Sequence, residues 1–192
     1  MNKTLTIIGI AVAVVMLAAC GGAEKDPVRA AVMDKIMEEN PSLVKFDFNT
    51  VEQVKDVTLA EELSRRESLF RTQEKTYGKK AAEYAKKQMK NNAAKNESKR
   101  RAVSEILSRI EAYRTSHAAQ LDSVVYSVYK FSGEGKTADG VKIIAEDQSV
   151  NIAPDGTVYK LQSAGGNPYK GMGIAIPGYK EEIIGRASLA EE

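Results

Sequence analysis

Val124-Val125-Tyr126-Ser127-Val128-Tyr129-Lys130-Phe131 is the stretch that decides the fold, because the apolar pattern changes here from a helical period to a period of two. In an extended chain, Tyr126 and Val128 face one side. Tyr129 and Phe131 face the other side. Since apolar residues occupy both faces, we expect a central strand.

The residues after this strand predict a second strand that runs back along it. Gly133-Glu134-Gly135 is expected to open a turn, and Asp139-Gly140 is expected to close it. The next strand then begins with Val141 to Ala145, and Val150 and Ile152 continue its apolar positions.

A further hairpin and a glycine-rich tail complete the C-terminal part of the chain. Pro154-Asp155-Gly156 separates residues 149–152 from residues 157–161, and this tripeptide between two β-type runs is a strong turn signal. Three antiparallel strands are therefore expected after the helices. Residues 163–178 predict either an ordered loop or a flexible cover, and residues 181–189 predict a last short helix.

The mature chain is expected to begin with a helix. Asp26-Pro27 predicts its start, because Asp accepts hydrogen bonds from free N–H groups and Pro is tolerated at the first helical position. Asn40-Pro41 predicts its end. The apolar stripe between these signals has helical spacing and consists of Val28, Val32, Met33, Ile36 and Met37.

A strand is predicted directly after this helix, over residues 43–48. Val44, Phe46 and Phe48 are expected on its buried face, because apolar and charged residues alternate there. Residues 49–56 have two interpretations. They form a turn, or they continue the strand to Val57.

A long helical segment, residues 59–118, joins the two β-type regions. Thr58-Leu59-Ala60-Glu61 matches a capping box at its start, and no proline follows before Pro154. Apolar residues mark both of its halves: Leu63, Phe70, Tyr77 and Tyr84 in the first, and Val103, Ile106, Leu107, Ile110 and Tyr113 in the second. Because Asn91-Asn92 and Asn96 indicate a turn or a frayed region, we expect two helices folded against each other. The alternative is one continuous helix.

This order of elements resembles the cystatin-like and NTF2-like folds over residues 27–162. The resemblance implies an α+β domain with an N-terminal helix, a strand, a long helical hairpin and three antiparallel strands, in which a curved sheet packs on helices. Members of such folds bind small molecules, inhibit proteases or act as scaffolds, so the resemblance transfers no function.

The N-terminus predicts where the protein is located. Leu5 to Ala19 is an apolar run that is too short to span a bilayer, which is typical of a signal peptide. It ends in Leu17-Ala18-Ala19-Cys20-Gly21, which resembles the lipobox of bacterial lipoproteins. The resemblance implies that Cys20 receives a diacylglycerol thioether, that residues 1–19 are removed and that the new amine is acylated. An ordinary secretory signal with a coincidental cysteine is the alternative.

The lipobox divides the chain into a signal peptide (residues 1–19), a lipidated tether (20–26) and a single domain (27–192). Cys20 is the only cysteine, so its acylation leaves no thiol for a disulfide, a metal or a nucleophile. We expect a cell-envelope protein that its lipid anchors to a membrane. The glycine after Cys20 favours the outer membrane. The protein then faces either the periplasm or the cell surface, and both alternatives stay open.

The overall charge excludes one class of partner. The chain has 28 Lys and Arg and 26 Asp and Glu, and removal of the signal peptide takes away only Lys3, which leaves 27 basic against 26 acidic residues. A nearly neutral protein is not a polycationic nucleic-acid binder. The absence of Trp also argues against a base-stacking platform, so no nucleic-acid partner is expected.

The charge is unevenly distributed along the chain. Residues 75–101 contain ten basic and two acidic residues, a local charge of about +8. Such a segment could bind anionic lipid or an anionic envelope polymer. The candidate residues for this binding are Lys86, Lys87, Lys90, Lys99, Arg100 and Arg101. The alternative is a solvated helical hairpin that its lysines keep soluble.

No motif predicts catalysis, a cofactor or a metal site. His117 is the only histidine, and Ser116 and Asp122 are near it in sequence without the local pattern of a catalytic triad. The sequence therefore predicts a non-enzymatic binding or structural module. The alternative is a hydrolase of envelope polymers that uses a pair of carboxylates, which the sequence does not identify.

Overall fold

The computed structural model describes residues 26–159 and 175–185. The predicted α+β fold is confirmed, with a helix, a strand, a helical hairpin and an antiparallel sheet packed on helices. The elements in chain order are α1 (Pro27–Glu39), β1 (Leu43–Thr58), α2 (Leu59–Lys86), α3 (Lys90–Ser116), β2 (Val124–Thr137), β3 (Lys142–Ile152) and the short π-helix α4 (Tyr179–Ile184). The predicted acylation site Cys20 and most of the glycine-rich tail lie outside the described residues.

The sheet has the order β1-β2-β3, and both pairs are antiparallel. β2 is the central strand, as its two apolar faces predicted. β1 continues to Thr58, so the second interpretation of residues 49–56 is the right one. The prediction for Val44 is wrong. The register between β1 and β2 shifts at this residue, Leu43 takes the buried position, and 60% of the Val44 side chain is exposed.

The turn predicted at Gly133-Glu134-Gly135 is also wrong, because β2 runs through these residues to Thr137. Both glycines are buried beneath the neighbouring strand. A Cβ atom on Gly133 would lie 2.5 Å from the Asp47 carbonyl oxygen and 2.7 Å from the Phe46 ring. Glycine is therefore needed there for close packing rather than for a turn.

The predicted hairpin at Pro154-Asp155-Gly156 brings the chain back along the end of β3. The contact is an isolated antiparallel bridge between Ile152 and Val158, supported by the Tyr159 N–H, which donates to the Asn151 carbonyl at 2.9 Å. The remainder of the expected strand, residues 160–161, lies outside the described part of the chain.

α1 and α2 begin where the capping signals predicted. The Asp26 carboxylate accepts from the Val28 N–H at 3.0 Å. At the start of α2, the Glu61 N–H donates to Thr58 Oγ1 at 3.3 Å and the Thr58 N–H donates to Glu61 Oε2 at 3.2 Å. These reciprocal bonds satisfy two of the donors that a helix start leaves without partners.

The long helical segment is a hairpin rather than one helix, because α2 and α3 are separate and pack against each other. Its turn lies at residues 87–89, where Gln88 adopts a left-handed conformation with φ of 58°. Asn91-Asn92 and Asn96, which predicted the turn, lie within α3 instead. The Asn96 side chain is satisfied inside the helix, since it donates to the Asn92 carbonyl at 2.8 Å.

Two apolar cores hold the fold together. The smaller core joins α1 to the sheet, and its buried residues are Val32, Ile36, Leu43, Phe46, Phe131, Val150 and Ile152. The larger core joins the base of the hairpin to the sheet and to α4, with Leu63, Ile106 and Ile183 among its fully buried residues. Part of the glycine-rich tail therefore covers the domain, since Ala175 and Ile176 are buried in this core.

Candidate functional site

The outer half of the helical hairpin, residues 71–102, extends beyond the core. We call it the distal hairpin. Phe70 is the last buried residue of α2 and Val103 is the first buried residue of α3, and no residue between them is buried. At about 1.5 Å per residue, residues 71–86 span roughly 24 Å of α2, and Tyr77, which still packs against the larger core, lies about 9 Å along this span.

Contacts between the two helices keep the distal hairpin closed. The Cδ atom of Arg100 lies 3.3 Å from the position that a Cβ on Gly78 would take, so the glycine lets α3 approach α2 closely. Directly beside this contact, the Lys99 ammonium lies 5.6 Å from the centre of the Tyr77 ring, within the range of a cation–π interaction. These contacts use parts of the basic side chains for packing.

Few of the charges in the distal hairpin are neutralised. Glu83 pairs with Lys87 at 2.6 Å, and Glu97 pairs with Arg100 at 2.7 Å and with Arg101 at 3.5 Å. The hydrogen bonds from these basic partners lower the pKa of both carboxyls, so both are ionised at neutral pH. The basic residues of segment 75–101 that form no salt bridge with any described residue are Lys75, Lys79, Lys80, Lys86, Lys90, Lys95 and Lys99.

The six predicted binding residues fall into two groups rather than one cluster. Lys86, Lys87 and Lys90 surround the turn, and all three are exposed. The other three, Lys99, Arg100 and Arg101, lie about 15 Å along α3. There Lys99 and Arg100 are half-buried, and both arginines share one carboxylate.

Sequence reasoning missed three residues of this surface. Lys79 and Lys80 are exposed beside Gly78, at the level of Lys99 and Arg100. The sequence showed that both lysines belong to the basic segment. It did not show that they lie at the same level of the hairpin as Lys99 and Arg100. Met89 lies in the turn, where 44% of its side chain is exposed. The turn had been expected a few residues later, so nothing in the sequence marked this methionine.

The lysines of α3 are poorly placed for helix stability. α3 begins at Lys90 with no acidic residue in its first turn and no side-chain cap, although a helix N-terminus favours negative charge. Lys95 and Lys99 are four residues apart on one face of α3, an arrangement that is unfavourable for like charges. Helix stability therefore does not explain the lysines of α3.

A second charged surface lies on the exposed face of the sheet. Lys45, Lys136 and Lys142 are direct neighbours across the three strands, and Asp47 and Glu134 are neighbours in the next register row. These residues line a cleft of about 410 Å³. Lys45 pairs with Asp47 at 2.7 Å and Lys142 pairs with Glu134 at 2.8 Å. The two carboxylates are 64% and 49% exposed, so neither has the apolar surroundings that a general acid needs.

Glu62 is a fully buried carboxylate at the base of the hairpin. It accepts hydrogen bonds from the Tyr126 phenol at 2.9 Å, from Arg65 at 2.9 Å and from Arg66 at 3.3 Å. Burial, and after it the Glu62 charge, raises the pKa of the Tyr126 phenol, which therefore stays a donor. The network joins α2 to β2 and has a structural role.

His117 lies at the end of α3, as predicted. Its ring stacks on Tyr113 with the centres 3.9 Å apart, and Nδ1 lies 2.9 Å from Ser116 Oγ and 3.1 Å from the Tyr113 carbonyl. In the described part of the chain, Asp122 makes no hydrogen bond to His117. The three residues therefore form a helix-end arrangement rather than a catalytic triad.

Neither a metal centre nor a membrane span occurs among the described residues. Within 26–159 and 175–185, no three or more His, Cys, Asp or Glu side chains are grouped so that they could hold a metal ion. Each helix in these ranges lacks an apolar stretch of the length that a bilayer crossing requires.

The likeness to cystatin-like and NTF2-like folds rests on the order of elements alone and assigns no residue a role. The distal hairpin and the sheet cleft are therefore interpreted from their own chemistry. No protein-family model, no curated protein and no solved structure matches this chain.

Proposed function

We propose that this protein is a non-enzymatic lipoprotein of the bacterial cell envelope, anchored through acylated Cys20, whose distal hairpin binds an anionic surface. The lipobox supports the anchor, and the glycine after Cys20 favours the outer membrane. One observation carries the binding role. The distal hairpin projects from the core with seven lysines that no described carboxylate pairs with.

The energetics support binding to headgroups or to an anionic polymer. Each Lys or Arg near an anionic membrane contributes about 1 kcal/mol. Salt screens such contacts over a Debye length of about 10 Å at 0.1 M. The lysines extend along both helices, so several of them reach a surface together. Their summed contributions produce binding that is weak per residue and strongly salt-dependent.

A vesicle-binding experiment tests this function. The chain without residues 1–20 retains every described residue and lacks the lipid, so its sedimentation with vesicles reports the protein surface alone. We expect binding to vesicles that contain phosphatidylglycerol, no binding to pure phosphatidylcholine, and loss of binding as salt rises from about 0.05 M to about 0.5 M.

Charge-matched variants locate the surface. Replacing Lys86, Lys87 and Lys90 with Gln should weaken binding by about 100-fold, from three contacts of about 1 kcal/mol each. The control replaces Lys45, Lys136 and Lys142 with Gln, which removes the same charge from exposed lysines of the sheet. Equal losses in both triple variants would contradict a specific role of the distal hairpin.

A hydrolase of envelope polymers is the second candidate. The observation in its favour is the cross-strand pair Asp47 and Glu134 in the sheet cleft. If this candidate is right, purified protein should release fragments from envelope polymer, and Asp47→Asn or Glu134→Gln should abolish the release. We expect no release from either variant or from the unmodified protein.

A further inference from the structure

The apex of the distal hairpin, residues 86–90, combines positive charge with an exposed apolar side chain. The turn at Gln88 places Met89 at the first residue before α3, where its N–H donates to the Tyr84 carbonyl at 2.9 Å. Met89 is the only large apolar side chain exposed between residues 71 and 102. Lys86, Lys87 and Lys90 adjoin it in sequence and are exposed.

This combination distinguishes between the two anionic surfaces that the basic residues alone would accept. A hydrated envelope polymer offers charge to the lysines but no apolar environment for Met89. A bilayer offers both, because an apolar side chain gains free energy at the boundary between headgroups and acyl chains. Lysines beside it can keep their ammonium groups among the headgroups while their methylene stems lie deeper.

We propose that the apex docks end-on onto an anionic bilayer, with Met89 inserted at the headgroup boundary and Lys86, Lys87 and Lys90 among the lipid phosphates. This inference rests on the proposed function, since it takes the anionic surface to be a lipid bilayer. End-on docking holds the core away from that bilayer by the part of the distal hairpin beyond Tyr77, roughly 14 Å.

Site-specific fluorescence in the acylated protein tests the docking. Cys20 is the only cysteine and its acylation consumes the thiol, so Met89→Cys supplies a single site for an environment-sensitive fluorophore. The matched control is Val54→Cys on β1, since 52% of the Val54 side chain is exposed. In vesicles that contain phosphatidylglycerol, the label at position 89 should shift to the blue, and the label at position 54 should keep its emission in water.

Further arms of the experiment separate the possible outcomes. The shift at position 89 should disappear in pure phosphatidylcholine and in the variant with Lys86, Lys87 and Lys90 changed to Gln. An unshifted label on anionic vesicles that still sediment the unlabelled soluble chain would overturn end-on docking and leave the proposed function intact. A label that responds to soluble polyphosphate and ignores anionic vesicles would assign the apex to a polymer and overturn the inference.

A variant without a label provides an independent check in the soluble chain. Met89→Gln keeps the size and removes the apolar character, and it should weaken binding to anionic vesicles by about tenfold. Binding to polyphosphate should stay unchanged, because the charges are unchanged. Val54→Gln should alter neither. Equal affinity of Met89→Gln and the unmodified chain for anionic vesicles would contradict insertion of the methionine.

Discussion

The Tyr126 phenol on β2 donates a 2.9 Å hydrogen bond to the Glu62 carboxylate on α2, and both side chains are almost fully buried. Arg65 and Arg66 donate to the same carboxylate from the next turn of the helix. A buried carboxylate destabilises a fold unless it is paired and hydrogen-bonded. The network therefore fixes the base of the hairpin on the central strand and so sets the direction in which the distal hairpin projects.

Tyr126→Phe should destabilise the protein by about 2 kcal/mol, because a charged buried group loses a hydrogen bond while the ring packing is kept. Urea unfolding followed by circular dichroism measures the change. Tyr129→Phe is the matched control, because Tyr129 lies on the same strand and, among the described residues, its phenol makes only a long 3.4 Å contact with exposed Gln53. Equal effects of the two substitutions would contradict the structural role of the Glu62 network.

Gly133→Ala should destabilise the protein by about 2 kcal/mol, because the added methyl group would overlap the Asp47 backbone carbonyl and the Phe46 ring. Gly135→Ala should have a smaller effect. Its nearest neighbour is the end of the flexible Leu43 side chain, which can move more easily than a backbone atom. Thermal unfolding of both variants checks the order. A larger loss of stability for Gly135→Ala than for Gly133→Ala would contradict the close contact of Gly133 with Asp47 and Phe46.

The stability supplied by Glu67 should depend on pH. This carboxylate binds Arg71 at 2.6 Å and Arg114 of α3 at 2.9 Å, and the hydrogen bonds from Arg71 first and Arg114 second lower its pKa from the ordinary 4.5. Since the folded pKa lies below the unfolded one, the stabilisation is present above about pH 4.5 and is lost as the pH falls through the folded value.

Urea unfolding of Glu67→Gln at two pH values measures this contribution. At pH 7 the variant should be less stable than the unmodified protein by about 0.5–1 kcal/mol, and near pH 3 the difference should shrink. In an Arg114→Gln background the difference at pH 7 should be smaller, because the pair between α2 and α3 is already broken. A difference that is constant from pH 7 to pH 3 would rule out this ionic contribution.

Cys20→Ser should abolish acylation, since the chain has no other thiol that could form the thioether. Metabolic labelling with a fatty-acid analogue should mark the unmodified protein and leave the variant unlabelled. The unmodified protein should fractionate with membranes, because stable anchoring requires more than one acyl chain and a triacylated cysteine provides three. Labelling that persists in the variant would contradict the lipobox interpretation.

Local signals in the sequence determined the elements of this fold. Asp26-Pro27 and Thr58 predicted the starts of α1 and α2, because capping depends on residues within one helical turn. The change of period at Val124 predicted the central strand, because alternation follows from the extended backbone itself. The charge of the distal hairpin and the predicted lipobox are likewise properties of contiguous residues.

Only the tertiary structure decided how these elements use their side chains. The left-handed Gln88 placed the hairpin turn three residues before Asn91, the first of the asparagines that predicted it, and so put Met89 in the turn. Contact with Phe46 and Asp47 gave Gly133 a packing role, and the Tyr126 partner of Glu62 lies 64 residues away along the chain. The last two outcomes depend on atoms that are distant in sequence and that only folding brings together, so local patterns carry no information about them.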